Sequence, residues 1–221
     1  METELASELI VDPDKVEGVV AVIGALENPV RLLDGYISEK SVRCAFCQQR
    51  QAHNRGYFVE LDSGSIALAG HCCALRIGGQ QSIDKISKSV TRKKKTADLV
   101  KERDCFAAAI DVLASYVEND LGCFQVTIET SAREANLPLH QYPRLTDDLV
   151  SLCRKLRDAA SLCRRDYHHQ KEGLLKKWPI WLATAERLES SLVQSLTELS
   201  PQNGAFVLPK RRIKDLGLES Q

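Results

Sequence analysis

Residues 44–73 read CAFCQQRQAHNRGYFVELDSGSIALAGHCC, and the remainder of the chain is interpreted outward from them. The stretch opens on Cys44-x-x-Cys47, a loop tight enough for two thiolates to face one ion. After 23 intervening residues come His71, Cys72 and Cys73, three further candidate ligands in a row. Between them lie two strand-like runs, 57–61 (YFVEL) and 65–69 (SIALA), joined by Asp62-Ser63-Gly64. Those three residues suit a tight turn, so a hairpin carries the far ligands back onto the near ones. Zinc takes four N or S ligands in a tetrahedron, and a knuckle, a hairpin and a helix start can supply them. The candidate ligands of Zn2+ are therefore Cys44, Cys47 and Cys73, with His71 or Cys72 in the fourth place. His71 is preferred, because an HxC pair leaves Cys72 to turn into the core.

Two plainer explanations compete with a metal. A free cysteine often packs as a small hydrophobe, and a single CxxC serves redox chemistry as readily as metal binding. The thioredoxin-like unit that surrounds a redox CxxC is not visible, and catalytic zinc usually shows a histidine-rich set with one position open. Three thiolates and one imidazole read instead as a closed, structural site.

Cys44, Cys47, Arg50, Tyr57, Gly64, Gly70 and Cys73 fall, in order, into a longer pattern. It runs C-x-x-C, a basic residue, an aromatic strand, a turn with glycine, then G-x-x-C opening a helix. This resembles the treble-clef-like zinc module found in proteins of phages and mobile elements, over about residues 42–79. The resemblance implies a metal-held scaffold more than an activity.

Lysine plus arginine balance aspartate plus glutamate at 30 each, so net charge names no partner. The distribution is more informative. Residues 1–40 hold nine acids against three bases, whereas residues 84–103 hold eight bases against three acids. Such asymmetry in a neutral chain implies faces of opposite sign. Eight cysteines without a leader imply thiols in a reducing, cytoplasmic setting. No apolar run reaches the roughly 18 residues of a membrane helix, so no membrane partner is expected.

The flanks read as mainly helical. Asp12-Pro13 resembles a helix start, and Val16, Val19, Val20, Ile23 and Leu26 follow at helical spacing. Cys73 to Ile77 should open a short helix that Gly78-Gly79 closes. Residues 85–95, with Arg92-Lys93-Lys94-Lys95, read as a solvated segment with little role in the fold. Phe106, Ala109, Ile110, Leu113 and Val117 form a helical stripe, with Cys105 assigned to the core beside it. Gly122 should break that helix, residues 123–128 read as a short strand, and Ser131-x-x-Glu134 as a capping box opening the next helix. From Thr146, the stripe Leu149, Leu152, Cys153, Leu156, Ala160, Cys163, Tyr167 opposes Arg154, Lys155, Arg157, Arg164 and Arg165. A second stripe from Trp181 to Leu199 completes an antiparallel pair turning near Gly173.

The expected architecture is thus mainly α: a helical bundle with a small inserted zinc-binding β-hairpin module. Its divisions are an acidic helical segment at 1–40, the zinc module at 41–80, a helical domain at 81–200 and an irregular basic tail at 201–221. No phosphate loop, dinucleotide fingerprint, HExxH or GxSxG is present, and the expectation is a binding protein, not an enzyme. Arg92, Lys93, Lys94, Lys95, Arg154, Arg157, Arg164 and Arg165 are the candidate contacts to nucleic acid or a nucleoprotein complex. The alternative is a protein-binding inhibitor of a host defence complex, anti-CRISPR-like, using the acidic N-terminal 40 residues. A third is an enzyme whose site is invisible in sequence.

Overall fold

A computed structural model describes residues 12–20, 27–142, 144–203 and 212–218 of the chain. The chain divides into two compact units, residues 1–99 and 100–221.

The first unit corrects the expected bundle, because its frame is a four-stranded mixed sheet and not a small inserted hairpin. Strands β1 (Val19–Val20), β2 (Pro29–Arg43), β3 (Ala52–Leu61) and β4 (Ile66–Ala69) lie in the order β1-β4-β3-β2. β1 runs parallel to β4, and the other two pairings are antiparallel. The hairpin of the sequence reading is β3–β4, in the register Tyr57↔Ala69 and Phe58↔Leu68, with Gly64 of its turn at φ +82°. What sequence reasoning missed is β2, whose residues fell in the expected helical segment at 1–40 and the start of the zinc module. Pairing between β2 and β3 shifts register three times along its length, so no simple two-residue alternation survives in the sequence. The helix expected from Asp12 is a single 3-10 turn, Pro13–Lys15, with no side-chain cap. Of the stripe built on it, Ile23 and Leu26 lie outside the described residues.

Both sheet faces are covered. Tyr57, Val59 and Ala69 pack with Cys44, Cys73, Ala74 and Ile83 on one side. Phe58, Ile66 and Leu68 pack with Tyr36 and Val42 on the other. Adjacent strand residues point to opposite faces, which is why every residue of β4 can be buried.

Helix α1 (His71–Ser115) follows β4 directly and kinks at Gly79, which takes φ +71°, ψ +168°. The glycine pair therefore bends the helix and does not end it. Beyond the kink, Ile83, Ile86, Val90 and Lys93 recur at steps of three and four and turn inward. Val90 and Ile86 lie so close to Gly35 of β2 that a Cβ there would stand 2.7 Å and 3.0 Å from them.

The second unit is helical. A π-helical turn, Tyr116–Leu121, carries α1 into α2 (Gly122–Glu134) without a break. The strand expected at 123–128 is thus helix: Leu121, Phe124, Ile128 and Ala132 are buried at helical spacing, while Val126 is 64% exposed. Ser131 and Glu134 end α2 and open nothing. Cys105 is exposed, one position off the buried stripe that begins at Phe106.

Helix α3 (Thr146–Asn203) carries both predicted stripes, and its backbone departs from helical geometry at Asp166, not near Gly173. Arg157 pairs with Glu118 and Arg164 with Asp111, so the first arm runs antiparallel to α1. Trp178 stacks edge-on with Phe106, and Glu189 accepts from Tyr116, so the second arm runs parallel to it. The antiparallel pair is real; only its turning point was misplaced. Leu149, Leu152, Leu156, Cys163, Leu188, Leu192 and Leu199 are all buried in this core. Past Asn203, the 3-10 turn Ile213–Leu216 is anchored on Glu189. No helix among the described residues is long and apolar enough to cross a membrane.

Candidate metal centre

Cys44 and Cys47 occupy the loop between β2 and β3, and Cys73 sits in the first turn of α1. Their sulfur atoms all lie within 4.8 Å of one another. A tetrahedral ion with sulfur at about 2.3 Å sets its ligand sulfurs roughly 3.8 Å apart, so a small closure of this triangle suffices. The loop is fixed by its own backbone: Arg50 donates to the Cys47 carbonyl and Cys44 N–H to the Gln51 carbonyl. Ala45 N–H reaches across to the Leu68 carbonyl, tying the knuckle to β4. Arg50 adopts φ +42°, a left-handed conformation that closes the turn.

The sulfurs also receive hydrogen bonds suited to thiolates. Gly70 N–H points at Cys44 Sγ over 3.4 Å, Gln51 N–H at Cys47 Sγ over 3.2 Å, and the Arg76 guanidinium at Cys73 Sγ over 3.7 Å. Burial alone would raise the Cys44 thiol, but bonds from Gly70 N–H, Phe46 N–H and the Cys73 thiol outweigh it and lower it. Cys73 is pushed up to about 11, first by burial and then by its hydrogen bond to Cys44 and the charge there. Of these two sulfurs, the surroundings favour the thiolate at Cys44 and the thiol at Cys73. This trio can hold a metal ion, with soft sulfur donors throughout.

The two candidates for the fourth place do not join it. His71 is exposed and turns toward the Tyr57 hydroxyl, 3.5 Å from its Nδ1. Cys72 is exposed, not turned into the core. The physical reason is helical: residues two apart point about 200° from each other, so with Cys73 turned to the trio, His71 is turned from it, toward Tyr57 of β3.

The predicted cationic contacts are scattered. Lys93 is turned inward and forms an ion pair with Asp34 at 2.6 Å, both side chains nearly buried. Arg157 is committed to Glu118 of the π-helical turn and Arg164 to Asp111 of α1. Such exposed pairs are weak, but their carboxylates would stand beside any phosphate that approached. Arg154 and Arg157 line a groove of about 990 Å³ between α2 and the first arm of α3, together with Val126 and Val150. Arg92, Lys94, Lys95 and Arg165 are exposed.

Sequence reasoning overlooked a tidier set. Lys85, Lys88, Arg92 and Lys95 follow at steps of three, four and three on α1, all exposed, opposite the inward row. Residues 85–95 contain no acid. The spacing is legible in the sequence, overlaid by the contiguous run 92–95.

No family model, no curated protein and no solved structure matches this chain.

Proposed function

We propose that this chain is a non-catalytic, zinc-stabilised binding protein that engages nucleic acid, or a complex carrying it, through the outer face of α1. The row Lys85, Lys88, Arg92, Lys95 carries this reading, because it sets four cations on one stripe over about 15 Å of helix. Clustered cations release counterions when they meet phosphates, and that release drives sequence-independent binding. Zinc is the ion best suited to three thiolates on a knuckle and a helix start, and its task here is structural. It fastens the β2–β3 loop to the start of α1 and so holds the helix that displays the cations.

The test is binding of labelled duplex across a salt series. Four phosphate contacts at about −0.9 each give a log–log slope near −3.6. Glutamine at Lys85, Lys88, Arg92 and Lys95 should abolish most of that slope, while glutamine at Arg154, Arg157, Arg164 and Arg165 should leave it unchanged. Absence of binding at low salt would remove the reading. A second reading, a protein partner, rests on the groove beside α2, where Val126 is 64% and Val150 52% exposed. Loss of a co-purified protein on Val126→Asp would favour it.

A further inference from the structure

A pocket of about 390 Å³ lies on the first unit, between β2, β3 and the middle of α1. Arg55 contributes from β3, Ser87, Thr91 and Lys94 from α1, and His71 and Tyr57 complete its polar wall. The Tyr57 hydroxyl stands 3.0 Å from Ser87 Oγ and 3.5 Å from His71 Nδ1, so three of these groups already form one chain of contacts. His71, which the metal trio leaves out, has its place here.

The charge of this wall is one-sided. None of its lining residues carries a carboxylate. Asp34, next to Gly35 of the lining, is already neutralised by Lys93. Arg55 and Lys94 have no carboxylate partner among the described residues. Arginine and lysine only donate; the Thr91 hydroxyl already donates to the Ser87 carbonyl, and the Tyr57–Ser87–His71 chain has a further proton to offer. The strand comes close under the helix at Gly35, where a Cβ would stand 2.7 Å from the Val90 side chain. Ile37 and Val90 add an apolar side.

We propose that this pocket binds a phosphomonoester. A terminal phosphate offers three oxygens that each accept more than one hydrogen bond, matching a wall of convergent donors anchored by a guanidinium and an ammonium. A flat carboxylate would use fewer of them. Ile37 and Val90 receive the organic part of the ester, and the volume falls in the range of about 300–1,000 Å³ typical of small-ligand sites. The phosphate belongs either to a free small molecule or to the 5′ end of a nucleic-acid strand. The site stands apart from the outer cationic row, since Lys94 faces the pocket and Lys85, Lys88, Arg92 and Lys95 face the opposite side of the sheet-packed helix.

The test is calorimetric titration of the full-length, zinc-loaded protein with inorganic phosphate and with adenosine monophosphate. Arg55→Gln and Lys94→Gln should each weaken binding about tenfold, the loss expected for one charged hydrogen bond, with melting temperature and zinc content unchanged. A short strand bearing a 5′-phosphate should then be compared with the same strand ending in a 5′-hydroxyl. A clear preference for the phosphate identifies the strand end as ligand, and nucleotide binding without that preference identifies a free small molecule. Glutamine across the outer row should lower strand affinity yet leave phosphate binding intact, which separates this proposal from the nucleic-acid reading. No binding of phosphate or adenosine monophosphate at millimolar concentration overturns it, as does full binding by the double variant.

Discussion

Cys44 is lowered and Cys73 raised although the two sulfurs sit in one triangle, and the difference comes from what points at them. Cys44 receives the Gly70 and Phe46 N–H groups as well as the Cys73 thiol, whereas Cys73 must give up its proton into that bond. A metal held by the trio would replace the shared proton and engage all three sulfurs. Cys44→Ser, Cys47→Ser or Cys73→Ser should each remove the metal that elemental analysis finds with the unaltered chain. His71→Ala and Cys72→Ser should retain it, since neither side chain faces the trio. A His71→Ala protein purified without zinc would show that the imidazole swings in after all. At this scale the sequence was half legible. CxxC and a later cysteine announce a metal, but which of three neighbouring ligands faces it depends on how the helix is rolled against the sheet.

The middle of α1 shows how one run of like residues divides among faces. Arg92, Lys94 and Lys95 are exposed, whereas Lys93 continues the inward row of Ile83, Ile86 and Val90. Its ammonium meets Asp34 where both side chains are only 13% and 12% exposed. Removing one partner strands a nearly buried charge, at a cost of about 3–5 kcal/mol. Lys93→Ala should therefore lower the denaturation free energy by that amount, while glutamine at Arg92, Lys94 or Lys95 should change it by no more than about 0.5 kcal/mol. Equal effects at all four positions would contradict this division. In α3, buried Glu189 accepts from the Tyr116 hydroxyl at 2.9 Å, from the Arg212 guanidinium and from Ile213 N–H. Burial, and then the neighbouring Glu189 carboxylate, push the Tyr116 hydroxyl above its usual range, so it remains a donor. Glu189→Ala should cost about 3 kcal/mol, the lower end for a broken buried pair because Arg212 is about one-third exposed. It should also expose the peptide around Ile213 to proteolysis; an unchanged cleavage pattern would show that this anchor is dispensable.

Across the whole molecule, the two units draw stability from different sources. The first is built on a sheet whose longest strand is interrupted by register shifts, beside a cysteine trio that could hold a metal ion. The second has a continuous apolar core from Phe106 to Ile213, with no candidate metal cluster among the described residues. A metal that binds only the folded state adds its binding energy to the stability of the unit it joins. Chelation should accordingly lower the melting transition of residues 1–99 and leave that of residues 100–221 within error. Leu156→Ala, at a fully buried position, should do the reverse, at a cost of about 2–5 kcal/mol. A single transition shifted equally by both treatments would mean that the units unfold as one.

The sequence by itself determined the knuckle at Cys44 and Cys47, the β3–β4 hairpin, the buried stripes of α3 and their antiparallel course. Each rests on contacts between residues near in sequence or on a period that repeats without interruption. Tertiary structure alone decided the rest. β2 was hidden because its pairing with β3 shifts register, and each shift erases the alternation that marks a strand. The helix at 122–134 was mistaken for a strand because Phe124, Val126 and Ile128 alternate in type, and only packing turned Val126 to solvent and its two neighbours inward. Arg157 and Arg164 looked available until α1 and its π-helical turn lay beside them with Asp111 and Glu118. A linear chain shows which charges it carries; which of them remain for a partner is settled when distant acids are brought within reach.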